Sequence, residues 1–329
     1  MIALVLGLAL LAAFLVVLQR CRDQFATNDS LARLEDNGRH ALSVLGSDLE
    51  HAGFYGFTSL PVARVLRYGA PVAQGIELRQ PDALSAIAPV PGLPTGAHDC
   101  GVNFAVDLSA AVQGSNNSYV IGRGSRDCAP TAAAGGAHPG SDTLTVRHAS
   151  LAVATAHAGR IQLYSRRLAA NDCLEIFADG RAPGGSSTDA EVRDLEVHTY
   201  YIANNSVDRP GWPALRVKSL TEARGAAQFR DEEVLPGVED LQVEFAERPP
   251  PGDPSDNVRF SAPDDARVSG RRVIAVRVWL RIRSDTTEHG YLDARPLDYA
   301  DAHFTPSPIE AAQRRVLIER TITLRNAAP

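Results

Sequence analysis

The chain opens with an uninterrupted apolar run, and this run restricts the fold more than any other feature of the sequence. Residues 1–18, MIALVLGLALLAAFLVVL, contain no charged residue, no polar residue and no proline. As a helix they would span about 27 Å, just enough to cross a hydrocarbon core of roughly 30 Å. The run lacks the basic start, short apolar core and A-x-A cleavage site of a secretory signal peptide. The sequence therefore predicts a membrane-spanning helix.

The helical pattern continues beyond the apolar run. No proline occurs before Pro61, and apolar residues recur at the three- and four-residue spacing of a stripe that packs on a protein surface. We therefore predict one helix of about fifty residues, apolar all round over residues 1–18 and amphipathic over residues 19–53. The predicted membrane and assembly surface comprises Ile2, Leu4, Leu6, Leu8, Leu10, Leu11, Phe14, Leu15 and Val17. The stripe expected to pack against the rest of the chain comprises Leu31, Leu34, Leu42, Leu45 and Leu49.

The charges beside the apolar run bear on its orientation. Arg20 and Arg22 are the nearest charged residues and both follow the run. The positive-inside rule would then place the large carboxyl-terminal part in the cytoplasm. Either this orientation is correct, or basic residues precede Met1 in the complete protein.

The sequence after the helix changes to proline-punctuated loops and β-type runs. Asn204-Asn205-Ser206 offers a turn, so residues 197–218 are predicted to form a hairpin. Alternating or β-branched runs predict strands at 142–148, 160–165, 191–203, 214–218, 238–245, 272–283 and 315–324. Gly, Pro and Asp predict exposed loops at 129–140 and 248–265. The expected fold is α+β: a long N-terminal helix packed against an antiparallel sheet, with residues 54–329 forming one β-rich globular domain with loop-rich insertions.

Charge and cysteine content limit the classes of function. The net charge of -6 argues against a nucleic-acid partner, because phosphate contacts need clustered positive charge. The four cysteines, Cys21, Cys100, Cys128 and Cys173, contain no CxxC pair and allow three full connectivities. Cys100 and Cys128 both lie in loop-type sequence, and we expect these two to pair first if the domain lies outside the cytoplasm.

No catalytic, cofactor or metal motif is present. The nine histidines are scattered without HExxH or HxH spacing, and the sequence contains no GxSxG, SxxK or GxxxxGK[ST] motif. Adjacent residues of a strand point to opposite faces, so Glu239-Asp240 is expected at the surface or at a strand end. By the same argument, Tyr200-Tyr201 is expected to place one ring in the core and one at the surface. The prediction is therefore a chain that is not an enzyme and has no catalytic residue, no cofactor and no metal site.

Several segments together resemble the PilW-like minor pilins of type IV pili, and they are spread over essentially the whole chain. These segments are MIALVLG at 1–7, LARLEDNGRHAL at 31–42, DLEHAGFYG at 48–56, SDTLTVRHAS at 141–150, VHTYYIA at 197–203, LPGVEDLQV at 235–243, AVRVWLRIRS at 275–284 and TITLRN at 321–326. The first segment alone is typical of any pilin or pseudopilin. The order of the later segments makes the resemblance specific to the PilW-like family.

The resemblance implies a structural subunit that primes pilus assembly. The expected partners are other minor pilins, the major pilin, a pilus-tip adhesin and, before assembly, inner-membrane lipid; the head would lie in the periplasm and later at the pilus tip. The family also carries a basic leader, a cleavage-site glycine and an early glutamate, none of which is present here. We therefore expect a missing leader, which would also supply the cytoplasmic positive charge.

Two other functions fit the same sequence. A minor pseudopilin of a type II secretion system shares the N-terminal pattern, and gene neighbours would separate it from a pilin. A membrane-anchored periplasmic enzyme or ligand-binding protein would instead need a concave site with converging polar groups.

Overall fold

The long helix is continuous. The computed structural model describes residues 2–57, 63–65, 76–78, 100, 103–108, 110–121, 128–167, 173–183, 189–248, 257–265, 268, 273–287 and 290–326. In it a single 50-residue helix, α1, spans Ile2–His51. The chain leaves α1 at Gly53, whose φ of 76° favours glycine and whose N–H donates to the carbonyl of Arg147 at 3.0 Å. The predicted helix is confirmed.

The rest of the chain is built of β-strands with three short 3-10 helices among the described residues, at Phe104–Val106, Ala132–Ala134 and Glu310–Ala312. The strands are β1 Ala63–Val65, β2 Ile76–Leu78, β3 Val112–Ser115, β4 Thr143–Ala149, β5 Ala158–Arg166, β6 Cys173–Asp179, β7 Ala190–Ala203, β8 Ala214–Ala223, β9 Ala226–Pro236, β10 Val238–Glu247, β11 Arg259–Ser261, β12 Val273–Thr287, β13 Leu297–Tyr299, β14 Ala302–Phe304 and β15 Gln313–Thr323. We call this β-rich part the head.

The larger sheet is organised around β7. The first part of this long strand pairs with β5, and its second part pairs with β4 on one side and β8 on the other. The full path is β2-β1-β6-β5-β7-β4-β3, with β9 added beside β8. All these pairs are antiparallel except β1 with β6. The β7–β8 pair is the hairpin predicted over residues 197–218, with Ala203 opposite Ala214.

A second sheet forms the remainder of the surface on which α1 packs. Its strand order is β11-β10-β12-β15, all antiparallel. One hydrophobic core lies between α1 and both sheets, and it includes Leu45 of the helix, Val146 of β4 and Val278 of β12. A second core lies under the larger sheet and includes Leu163, Val197 and Phe229. The α+β prediction, a long helix against antiparallel sheets, is confirmed.

The prediction of an exposed loop over residues 248–265 is partly wrong. Arg259–Ser261 forms β11 and pairs with the end of β10, Phe260 lying opposite Ala246. The pattern-based reading missed it because the strand has only three residues. Asp253 and Asp256 of the predicted loop lie outside the described residues.

The prediction that Tyr200 and Tyr201 divide between core and surface is wrong. Both rings are buried, because β7 carries a packed layer on each of its faces. The Tyr200 hydroxyl donates to Asp48 at 2.8 Å, and the Tyr201 hydroxyl donates to Asp231 at 2.7 Å. Each buried hydroxyl thus has an acceptor, as burial of a polar group requires.

Glu239 and Asp240 lie at the start of β10, as the strand-end alternative predicted, but their expected surface exposure is wrong. A register shift between Val238 and Asp240 breaks the alternation of β10, and both carboxylates are buried. Arg315 binds Glu239 through two nitrogens at 2.8 and 2.9 Å, and Tyr299 donates to Asp240 at 2.6 Å. The bulge and these partners, which the local pattern does not show, make burial of the two acids tolerable.

Candidate membrane and packing surfaces of the long helix

The first half of α1 makes no contact that shields it from solvent. Residues 2–25 are all exposed, and the predicted membrane and assembly residues Ile2, Leu4, Leu6, Leu8, Leu10, Leu11, Phe14, Leu15 and Val17 are exposed by 56–80%. By length and composition the segment qualifies as a membrane span. An apolar surface of this extent has a large unfavourable hydration free energy, which burial in lipid or protein would remove.

The second half of α1 packs its apolar stripe into the head. Leu34, Leu42, Leu45 and Leu49 are buried, and Ala41 and Ala52 complete the stripe. We call this contact the seam. It is close at Gly38, where an added Cβ would lie 1.8 Å from the Cδ1 atom of Ile318 on β15. The glycine therefore lets the helix approach the second sheet.

Leu31 does not belong to the seam, and its predicted packing role is wrong. Its side chain is 38% exposed, whereas the neighbouring Ser30 and Leu34 are buried. A pocket at this end of the seam is lined by Ser30 and Leu34 together with Trp212 and Pro236 of the head. At this end of the seam the head contacts the helix face that carries Ser30 and Leu34. Leu31 is adjacent to Ser30 in sequence and therefore lies on a different face, away from the head.

A polar cluster interrupts the apolar seam near its end. The Oδ2 atom of Asp48, on α1, lies 2.7 Å from His198 Nδ1. The same oxygen accepts a hydrogen bond from the Tyr200 hydroxyl at 2.8 Å. His148 Nε2 lies 3.2 Å from the other carboxylate oxygen, Oδ1. His148 Nδ1 lies 2.9 Å from the carbonyl oxygen of Ala149. We call Asp48, His148, His198 and Tyr200 the seam cluster.

The seam cluster is electrostatically coupled. Burial alone would raise the pKa of Asp48, but the hydrogen bonds from His148 and His198 and their charge outweigh it and hold that pKa well below its usual range. Burial lowers the pKa of His148, yet the hydrogen bond and charge of Asp48 overcome this and leave that pKa raised. Burial and the Asp48 charge raise the pKa of the Tyr200 hydroxyl, so it stays protonated and donates. The cluster therefore favours a carboxylate beside positive charge.

The sequence reading missed this cluster because its members are far apart along the chain. Val146 lies opposite His198 and His148 lies opposite Glu196 in the β4–β7 pair. This register makes His148 and His198 diagonal neighbours on one face, with Tyr200 two residues further on. The alternating TLTVRHA and VHTYYIA runs gave the face of each histidine, but only the pairing register shows that the faces meet.

The cysteine pair expected from the loop sequence is joined in the structure. Cys100 and Cys128 form a disulfide with a Cα–Cα distance of 5.1 Å, and both are buried in the core under the larger sheet. Cys21 is exposed on α1 as a free thiol. The bridge closes a segment of the head, with a sequence separation of 28, that also contains β3, and β3 pairs with β4.

These surfaces define a class: an α+β protein with a pilin-like plan, whose exposed apolar helix continues into a β-rich head. The model of the family described as type IV pilus-assembly protein W matches residues 199–326, which confirms the family resemblance over that part of the chain. That matched segment runs from β7 to the end of β15, so it covers the second sheet, against which the seam packs.

Comparisons with whole proteins add less. One solved structure, of a type IV-like pilin from Thermus thermophilus, is 13% identical in sequence. The alignment covers 61% of this chain and 83% of the pilin, with a TM-score of 0.29. The search of curated proteins found no match.

Proposed function

We propose that this protein is a minor pilin that takes part in priming type IV pilus assembly. The first half of α1 holds the subunit in the inner membrane as a single-pass anchor. On extraction the same surface packs among the helices of other subunits in the fibre. The role is structural, and the residues that carry it act by packing.

The observation that carries this proposal is the division of one helix into two surfaces. An anchor alone needs only the apolar part, and a helix that packs on its own head needs only a stripe. Here residues 2–25 are wholly exposed and the seam is wholly apolar apart from its cluster. A helix that resides in lipid and later in a protein bundle needs both surfaces.

The proposed setting of the head is the periplasm and later the pilus tip. The Cys100–Cys128 disulfide supports an extracytoplasmic head, because thiols stay reduced in the cytoplasm. The proposed partners are other minor pilins, the major pilin and a tip adhesin. The match to a pilus-assembly family supports partners of this class.

The test is Leu10→Arg, at the middle of the apolar run. A charged residue at mid-bilayer costs about 2.5–3.5 kcal/mol, which is on the order of a 100-fold loss of insertion. We expect pili to disappear from a strain carrying only this variant, as counted in the sheared surface fraction. The protein should also leave the membrane fraction.

The matched control is Leu292→Arg on the head. Leu10 and Leu292 are exposed by 72% and 75%, so the two substitutions add the same charge at equally open leucines. Only the helix variant should abolish piliation. Normal piliation with Leu10→Arg, or an equal loss with both variants, would contradict the proposal.

A further inference from the structure

The orientation of His148 places its Nε2 atom against the carboxylate of Asp48. A carbonyl oxygen can only accept, so the 2.9 Å contact with Ala149 requires that His148 Nδ1 carry the hydrogen. In a neutral imidazole the lone pair then sits on Nε2, which lies 3.2 Å from the Asp48 Oδ1 atom. Two acceptors facing each other at this distance repel unless a proton or a metal ion lies between them.

We propose that Asp48, His148 and His198 form a binding site for a divalent transition-metal ion of the zinc class. Two imidazole nitrogens and one carboxylate oxygen are the ligand types that suit such an ion. The ligand atoms of the three residues lie within 4.8 Å of one another. The ion would join α1 to the larger sheet across the seam.

The distance between Asp48 and His148 already suits a bound ion. Ligand atoms around a tetrahedral zinc ion with bonds of about 2.0–2.1 Å lie about 3.3 Å apart. The Asp48 Oδ1 to His148 Nε2 distance is 3.2 Å. On the other oxygen of the same carboxylate, His198 Nδ1 is at 2.7 Å. Both imidazoles therefore point at one carboxylate from neighbouring strands.

The surroundings provide the outer shell that metal ligands require. Histidine ligands are usually oriented by a hydrogen bond from the other ring nitrogen to a carbonyl or a carboxylate, and His148 has this bond to Ala149. The Tyr200 hydroxyl orients Asp48 in the same way. The Asp48 and His198 side chains are 13% and 22% exposed, so an ion can enter and water can complete its coordination.

The experiment uses the full chain in detergent, stripped of metal with a chelator and dialysed. Addition of cobalt chloride should give the strong visible absorption of tetrahedral cobalt, saturating at one ion per chain. Calorimetric titration with zinc chloride should show the same stoichiometry. His148→Gln and His198→Gln should each weaken zinc binding by at least about 100-fold, and Tyr200→Phe by about 10-fold.

His157→Gln is the matched control, because His157 is an exposed histidine of the head that is not one of the three proposed ligands. It should bind zinc and cobalt as the unchanged protein does. Circular dichroism checks that each variant is folded. If a variant does not fold, the cobalt spectrum of the unchanged protein still tests the metal site. A faint octahedral spectrum, or binding that survives in both His148→Gln and His198→Gln, would overturn the site. Either result would leave the pilin proposal untouched.

Discussion

The two halves of α1 share one backbone and differ in almost every other respect. Residues 2–18 present apolar side chains in all directions, and none of residues 2–25 is covered by the head. The half from Leu34 to Ala52 presents one apolar stripe, and the head covers all of it. Stability of the folded head therefore depends on the second half, whereas attachment to lipid or to other subunits depends on the first.

The comparison also shows what each half tolerates. Side chains in the seam meet fixed neighbours, so their volume matters to within a methyl group. Side chains in the exposed half meet only solvent in the single chain. Changes of equal size should thus have unequal effects on the head, and three experiments can break or sharpen this contrast.

The largest difference is expected between Leu45→Ala and Leu8→Ala. Leu45 is fully buried in the seam, so its truncation should lower the free energy of unfolding by about 2–5 kcal/mol. Leu8 is 67% exposed, and its truncation should leave the head unchanged. Urea unfolding followed by fluorescence reports the head alone, because Trp212 and Trp279 are the only tryptophans. Equal losses in the two variants would break the contrast.

A pH series should separate the halves next, through Asp142. Burial raises the pKa of Asp142 to about 7, although the backbone N–H groups of Asn117 and Val243 donate to its carboxylate and oppose the shift. The folded head then holds a proton between pH 4 and pH 7 that the unfolded chain has released. As the pH rises from 4 to 7, the free energy of unfolding of the head should fall by on the order of 4 kcal/mol from this group.

Asp142→Asn mimics the protonated acid and isolates this contribution. The variant should match the unchanged protein near pH 4 and exceed it in stability near pH 7.5. Residues 1–18 contain no titratable side chain, so membrane attachment should not follow the same curve. If the free energies of unfolding of the variant and the unchanged protein differ by the same amount at both pH values, the assignment to Asp142 is refuted.

The smallest difference is expected at the glycines. Gly7 has no neighbouring atom within 4 Å of an added Cβ, whereas at Gly38 that Cβ would overlap Ile318. Alanine favours a helix by up to about 1 kcal/mol over glycine, and at Gly38 the overlap offsets that gain. In an Ile318→Val background, which removes the overlapping Cδ1 atom, Gly38→Ala should stabilise the head by up to about 1 kcal/mol. Urea midpoints with no difference between the two backgrounds would show that the seam is looser at Gly38 than its geometry indicates.

Much of the fold could be predicted because its signals are local. The apolar run and the stripe gave α1, and alternating runs gave β4, β7 and β12 to within a few residues. The short strands β11, β13 and β14 were missed, since three residues carry too little pattern for a periodicity argument. The longer strands β6 and β9 were also not predicted. Leu31 was assigned to the seam because it has the right spacing, which says nothing about where the head ends.

The polar features could not be predicted, because they depend on register and on partners distant in sequence. Glu239 and Asp240 turn inward through a bulge. Glu239 then meets Arg315, more than seventy residues away, and Asp240 meets Tyr299. Asp48 meets His148 and His198 only when α1 lies across β4 and β7. The spacing of residues along the chain does not predict contacts between such distant residues, so no local motif indicated the site.

The most direct test of the central claim is to remove the exposed half of α1. The chain beginning at Asn28 retains every buried residue of the seam. It should be soluble without detergent and should unfold at the same temperature as the head of the full chain, while losing all membrane attachment. A truncated chain that fails to fold, or that still partitions into membranes, would contradict the division of one helix into an assembly surface and a packing surface.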